Sequence, residues 1–508
     1  MTEKKKLSVI NTVSIVAMLA TLRISFYTYK TGDNLGLLPQ KYLNYILYGL
    51  AGINIVSILL ALIKKAGNVG KMLQIALCTV LSGLMIYGCT IVPDYKGRLG
   101  RMFTSIPEVS TLNMHVYTLS DSTNEKLTQL VGKKLGVQIM SDTDHQNVAL
   151  EDIQNRVKKK GQIDIREYED IYSMVEALYN KEVDAILLTE QYAGIISENA
   201  DFRDFYNKTK KIYTVTQEIV DENIRKSIPT ITNTPFIIAI AGNDSFEYDF
   251  IKNNKGRTDV NLILTVNPLV KKILIVTVTR DAYLPINGEI DKMDRLTNAS
   301  SLGVEAWKKA IEYGFGIKID KYMRINFTAF INAVQCLGGL DVDNPYYFQA
   351  KRRYGGKEAG DGMVGFNEGL IHINGYEALA YSRERKSLPM GDFDRNMHNA
   401  ILMECIINKM TSKDVLSNID SFLKNVEGTF VTDVTSDEIK MLIKMQLEDN
   451  VKWQIEKYRV YGDETYEHSY TAGAGQGAEQ MIVAHLDENM VKTANEKITA
   501  LLNENLDD

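Results

Sequence analysis

The chain has 508 residues, 45% of them hydrophobic, with 58 Lys or Arg against 64 Asp or Glu, and that length calls for more than one core. The charge is unevenly placed: residues 1–94 hold nine basic and three acidic side chains, so residues 95–508 carry a formal charge of −12. An acidic body of this kind lacks the basic footprint of a nucleic-acid binder, so no nucleic-acid partner is expected.

Three apolar stretches open the chain, at 7–27, 42–63 and 72–92. Each approaches or exceeds the roughly 20 residues a helix needs to cross the hydrocarbon core. Arg23, near one end of the first, can snorkel to the interface. Two further spans and the lack of a small-residue cleavage pattern argue against a signal peptide. Lys4, Lys5 and Lys6 precede the first span, and Lys64, Lys65 and Lys71 fill the loop between the second and third. The positive-inside rule keeps both in the cytoplasm. The expected protein is therefore multi-pass in the cell membrane, with a cytoplasmic N-terminus, the lipid bilayer as a partner and an extracellular body.

Residues 95–110 read as a stalk. Between 111 and 228 strand and helix patterns alternate: 114–119 strand, 123–135 helix, 137–140 strand, 171–180 helix and 183–188 strand. Such βαβ-like alternation predicts a small α/β accessory domain, spanning 95–228 with the stalk. From Pro229 a second α/β unit begins. Apolar, β-branched runs at 234–241, 260–266 and 273–278 predict strands, and helical patterns fall at 302–313, 328–336, 375–383, 393–410, 437–447 and 489–502,. Cys336 and Cys405 sit in apolar helical settings, and no Cys/His spacing suggests zinc.

Charge chemistry gathers in two places. In GRTDVNLILTVNPLVKKILIVTVTRDAYL two strands flank an Asn-Pro turn centred between Leu269 and Val270,. An antiparallel hairpin about that centre sets Asp259 opposite Arg280. Arg257 and Asp259, two apart on an extended chain, share a face. Arg257, Asp259 and Arg280 should then meet at one sheet end; a strand-end salt bridge would account for them equally well. Asp281, next to Arg280 in an extended chain, should face away. The second place is YSRERKSLPMGDFDRNMHN, residues 381–399. Arg383 and Arg385 close one helix, Gly391 breaks the chain, and Arg395 and Asn399 share a face of the next helix at i,i+4. Guanidinium forks at adjoining helix ends suit phosphate oxygens, although a solvated charged face has the same residues.

The motifs GRTD (256–259), VNP (266–268), TRD (279–281), DRLTNAS (294–300), IDKYMRINFTAFINAVQCLGGLDV (319–342), ALAYSRER (378–385) and GDFDR (391–395) resemble the LytR-CpsA-Psr family of wall-glycopolymer ligases. The match runs from about 236 to 410, and the tail (411–508) is similar to the capsule-type branch. The resemblance implies an α/β/α catalytic domain over 229–508 with a central mixed sheet, below three N-terminal transmembrane helices and the accessory domain. It implies transfer of a glycopolymer (capsule, teichoic acid or a related wall polymer) from a polyprenyl pyrophosphate carrier to a peptidoglycan sugar hydroxyl. Partners would be the lipid-linked glycan, peptidoglycan and the polysaccharide-synthesis machinery, and the cofactor Mg2+ or another divalent cation. Family positions make Asp259 and Asp244 the metal ligands, and Arg257, Arg280, Arg383, Arg385 and Arg395 the diphosphate-contacting groups. Arg295, Asn399 and Asp281 are further substrate-site residues. The sequence departs from the family pattern at Arg295, where Lys is usual, and at Asn399, where Gln is usual.

Two other functions remain open: a pyrophosphatase that only hydrolyses the carrier, using the same metal and arginines, and a non-enzymatic membrane regulator, with 111–228 binding a signal. The lipid would need an apolar cavity, for which Ile311, Phe315, Phe330, Ile331 and Val334 are candidates. His398 reads as a bystander beside the arginines, and GAGQG (473–477) as a loop.

Overall fold

The computed structural model describes residues 3–505 except 37, 63–66, 104–108, 140–142, 191, 197–198, 221–227, 229, 247–255, 413–429 and 473–479; the GAGQG segment lies outside the described residues. Three helices open it: α1 (Glu3–Leu35), α2 (Gln40–Leu62) and α3 (Gly67–Phe103). Within them Val9–Asn34, Gln40–Leu62 and Val69–Thr90 are long and apolar enough to cross a membrane. Polar side chains turn inward. Gln74 of α3 donates to the carbonyls of Ser14 and Ser57 at 3.3 and 3.4 Å, and Thr21 meets Ser82 at 3.2 Å. Hydrogen bonds and close packing of this kind hold helices together in an apolar medium. Where a stalk is expected, α3 continues as helix to Phe103; the stalk's 104–108 lie outside the described residues.

The accessory unit is a five-stranded mixed sheet in the order β3-β2-β4-β1-β5, from β1 (Val109–Leu119), β2 (Lys134–Gln138), β3 (Asp164–Tyr168), β4 (Ala185–Thr189) and β5 (Thr209–Val220). Helix α4 (Thr143–Val157) packs Ala149, Ile153 and Val157 against Leu135 and Leu187. Helix α5 (Ile171–Tyr179) packs Met174, Val175 and Leu178 against Ile186 and Leu188. The helix expected at 123–135 does not form. A four-residue 3-10 turn, Leu127–Leu130, takes its place, and Gly132 at φ +74° redirects the chain into β2,.

The second sheet has six strands. In spatial order they are Phe430–Thr432, Lys321–Ile325, β6 (Phe236–Asn243), β7 (Thr258–Asn267), β8 (Lys272–Val278) and Gln454–Arg459. β6, β7 and β8 run antiparallel, while Lys321–Ile325 and Gln454–Arg459 flank them in parallel. One face buries Ala239, Ile263 and Val276 under the Val304–Phe315 helix (Trp307, Ile311, Phe315) and the Glu488–Asn503 helix (Ala494, Ile498). The other face buries Ile240, Leu262 and Ile275 under the Asp392–Met410 and Ser436–Asp449 helices. The class is α/β, with three apolar N-terminal helices and a helix-sheet-helix body.

Two local features aim this sheet's end. Asn261 lies opposite Val278 and Asn267 opposite Lys272, the register that continues to Asp259 opposite Arg280. Between Gly242 and Asn243 the β6–β7 ladder slips. A Cβ on Gly242 would stand 2.9 Å from that of Val260, so glycine lets β7 approach closely, while the bulge leaves Asp259 of β7 as the extra residue of the ladder,. A satellite core of short hairpins, with Phe348, Phe366 and Tyr381 at its centre, supports the Gly375–Arg383 helix beside that end.

Candidate active site

Asp259 is the hub. Its Oδ1 accepts from Arg280 Nη1 at 2.6 Å, its Oδ2 is 3.7 Å from Arg395 Nη1, and its carbonyl accepts from Arg395 Nη2 at 3.2 Å. Burial alone would raise this carboxyl, but Arg280, Arg395 and Arg257 together hold it well below the usual carboxylate range,. Arg280 is the reciprocal case: burial opposes its charge, yet Asp259 and Asp281 more than offset it.

Asp244 follows the bulge. Its amide donates to the Arg257 carbonyl at 3.2 Å, and its Oδ1 lies 3.4 Å from Arg383 Nη2. Burial and then the negative charge of Asp259 raise its pKa, against the pull of Arg383, Arg280 and Arg395. Arg257 is drawn down to about 10, first by burial and then by the positive charges of Arg280 and Arg295, with Asp259 and Asp281 opposing. It therefore shares one electrostatic field with the hub.

The two helix ends deliver the other guanidiniums. At the C-terminus of Gly375–Arg383, Arg383 donates to the Tyr354 carbonyl at 2.9 Å and stacks 4.3 Å from the centre of the Phe327 ring,. Arg385, two residues on, is exposed. Gly391 starts the next helix, and Asp392 in its first turn is 2.6 Å from Arg395 while accepting from Thr279 Oγ1 at 3.2 Å,. Arg395 is 4% exposed. One turn on, Asn399 is buried, and its amide nitrogen has no hydrogen-bond partner among the described residues.

Asp281 corrects an expectation. It does not face away from Arg280, because β8 ends at Val278 and the chain turns there, with the Ala282 amide on the Thr279 carbonyl. Its Oδ2 accepts from Arg280 Nε at 3.5 Å, and its Oδ1 is 3.7 Å from Arg295 Nη1. Arg295 is thereby joined to the cluster, and its Nη2 also reaches Asn298 at 3.4 Å.

A cleft opens at this cluster. Asp259, Arg383, Arg395 and Asn399 form its polar rim, and Ile240, Leu262, Phe330, Leu379, Met403 and Ile406 its apolar wall. Of the candidate lipid-lining residues only Phe330 lines it. Ile311 and Phe315 belong to the core on the opposite sheet face, Val334 packs in the satellite core, and Ile331 packs under Phe327 and Leu379. His398 stacks 4.9 Å from the Phe348 ring, away from the cleft, and burial pulls its pKa down to about 4.

Sequence reasoning passed over Arg324, which is 1% exposed. It donates to Asn243 Oδ1, the Gly256 carbonyl and Ser300 Oγ at 3.1–3.3 Å, and so clamps the segments that carry Asp244 and Arg257. The signal was available: alternation in KYMRI puts Arg324 on the same strand face as the core residue Tyr322, where a cation needs a polar purpose.

A divalent cation fits the donor set. Asp244 and Asp259 lie close enough for one to raise the other, and two carboxylates completed by phosphate oxygens and water are a usual Mg2+ arrangement,. Among the described residues no cluster of three or more His, Cys, Asp or Glu offers a protein-only metal cage.

The model of the LytR_cpsA_psr family matches residues 200–490. The chain is 31% identical over 227 residues to the polyisoprenyl-teichoic acid–peptidoglycan teichoic acid transferase TagU of Bacillus licheniformis, covering 43% of this chain and 69% of that protein. It is 28% identical over 218 residues to the transferase TagV of Bacillus subtilis, covering 42% and 54%. Crystalline B. subtilis TagV superposes with a TM-score of 0.43 at 24% identity, over 53% of this chain and 98% of that one. With more than half its length matched by the family model, this chain belongs to the LytR-CpsA-Psr family.

Proposed function

We propose that this protein transfers a glycopolymer from a polyprenyl diphosphate carrier to a hydroxyl of peptidoglycan on the outer face of the membrane. The observation that carries the reading is the convergence of Asp259, Arg383 and Arg395 on the rim of an apolar cleft, with Arg280 bonded to Asp259. The relatives are named as teichoic acid transferases acting with a polyisoprenyl carrier and peptidoglycan, which supports the same chemistry here.

The acceptor oxygen attacks the phosphorus nearer the glycan, and the bond from that phosphorus to the bridging oxygen breaks. Polyprenyl phosphate leaves and a phosphodiester remains. Such a transfer is governed mainly by positioning and by neutralising charge on the phosphate oxygens. Arg383 and Arg385 reach the diphosphate from one helix end, and Arg395 and Asn399 from the next. Arg280, fixed by Asp259 and Asp281, faces the same oxygens. Asp244 and Asp259 would hold Mg2+, which supplies Lewis-acid stabilisation of the departing phosphate. Asp281 bridges Arg280 and Arg295 and keeps both aimed.

The apolar wall receives the lipid. It leads from Asp259 along Val260 and Leu262 of β7, towards the turn end of the hairpin. There Lys271 pairs with Asp449 at 2.7 Å, and Lys41 and Tyr42, at the start of α2, reach the carbonyls of Glu448 and Leu447. A tail in this cleft points towards the apolar helices.

Mass spectrometry of products from lipid-linked glycan, peptidoglycan oligomers and Mg2+ tests the proposal. Glycan joined to peptidoglycan through a phosphodiester is the expected product. Recovery of free phosphorylated glycan alone would show a pyrophosphatase, and absence of any product from either substrate would favour a regulator.

A further inference from the structure

A shelf of positive charge borders the cleft, and of its members only Arg385 is used in the chemistry above. Lys351 ends the Phe348–Lys351 strand, Arg352 and Arg353 sit in the Arg352–Gly355 turn, Lys357 opens the next turn, and Arg385 and Lys386 follow the Gly375–Arg383 helix. The two loops touch: Ser387 Oγ donates to the Gln349 carbonyl at 2.7 Å, and Arg383 ties Tyr354 to the site rim. Five of the six cations are exposed and Lys351 is half-buried. None makes an ion pair among the described residues. Two of the neighbouring acids are engaged elsewhere. Glu384 is buried and accepts from the amides of Arg385 and Ser387, both at 3.0 Å, and Glu358 accepts from Tyr376; Asp361 is exposed beside the patch.

Like charges clustered on a body of formal charge −12 focus a local field that selects a polyanion. This patch lies away from the contact with the apolar helices. The soluble part touches the start of α2 through the Ser436–Asp449 helix, at the far end of β7, whose ten residues span about 30 Å. We infer that the shelf binds the first anionic units of the donor glycan, phosphodiester- or carboxylate-bearing, just beyond the diphosphate. The preferred donor is then a polyanionic polymer rather than a neutral one. The identity of this ligand as donor rests on the transferase reading above.

The test compares the full-length protein in neutral-lipid nanodiscs with R352Q/R353Q/K357Q/K386Q, four positions outside the catalytic cluster. The first measurement is binding of a lipid-free poly(glycerol phosphate) oligomer at low and high salt. The second is turnover of a polyprenyl diphosphate donor bearing a neutral disaccharide. Expected is a loss of oligomer affinity of about tenfold or more, with weaker salt dependence and unchanged turnover of the neutral donor. Oligomer binding equal in both proteins would overturn the inference. So would an equal loss on the neutral donor, or binding of phosphatidylglycerol vesicles through these residues with none of the oligomer. If wild type turns over no donor while the variant still loses the oligomer, the shelf stands and the transferase reading fails.

Discussion

Asp259 and Arg280 meet across the β7–β8 hairpin, Oδ1 to Nη1 at 2.6 Å, with side chains only 17% and 13% exposed. A surface ion pair would be worth little. This one is largely withdrawn from solvent, shares its carboxylate with Arg395, and has Asp259 on the rim of an apolar cleft. It fixes a charge hub at the cleft's rim.

Arg385→Ala and Arg395→Ala should separate activity from stability. Each removes a contact to developing phosphate charge, so transfer should fall by about 10²–10³. Arg385 is exposed, and its loss should leave stability within about 0.5 kcal/mol. Arg395 is buried against Asp259 and Asp392; removing it leaves Asp392 without its ion partner and Asp259 with Arg280 alone, and should cost about 3 kcal/mol. Denaturant unfolding and initial rates on both variants check the split.

Arg383→Ala should also lower transfer by about 10²–10³ with the fold intact, because its guanidinium is partly exposed and stacked on Phe327 rather than buried in the core. Wild-type rates in both Arg383→Ala and Arg385→Ala would remove the helix-end arginines from the mechanism.

Chelation should stop transfer and Mg2+ restore it. In Asp244→Asn the Mg2+ concentration for half-maximal rate should rise by about 10–100-fold or more. A rate indifferent to chelation would dismiss the metal.

His398 gives a pH signature. Its ring nitrogens have no hydrogen-bond partner among the described residues, and burial holds its pKa at about 4 against the ordinary 6.5. The unfolded chain takes up the proton first, so the contribution of His398 to stability is complete above about pH 6.5 and falls as pH drops towards 4. His398→Phe should remove that loss and gain about 3 kcal/mol over wild type at the acid end. Unfolding curves across this range read it out.

Much of the site could be read from the chain because it depends on local geometry. The Asn-Pro turn fixed the hairpin register, and i,i+4 spacing put Arg395 and Asn399 on one rim. Asp281 is misplaced when the strand is carried past Val278 to Asp281, because the backbone turns after Val278. Alternation in KYMRI marks Arg324 as inward-facing, but what it clamps depends on which strand lies beside β6, a non-local pairing that the sequence does not display. The same limit explains Ile311 and Phe315: their apolar stripe marks a buried face but not which side of the sheet it covers. In the accessory unit, periodicity alone predicts a helix over 123–135 where only the Leu127–Leu130 turn forms before Gly132.

The most direct test of the charge hub is a crystal of the protein soaked with a short-chain polyprenyl diphosphate and Mn2+. An anomalous peak between Asp244 and Asp259, with the diphosphate against Arg280, Arg383 and Arg395 and the tail along Leu262 and Phe330, is the predicted result. A diphosphate bound away from these arginines, with no metal at Asp259, would contradict the account.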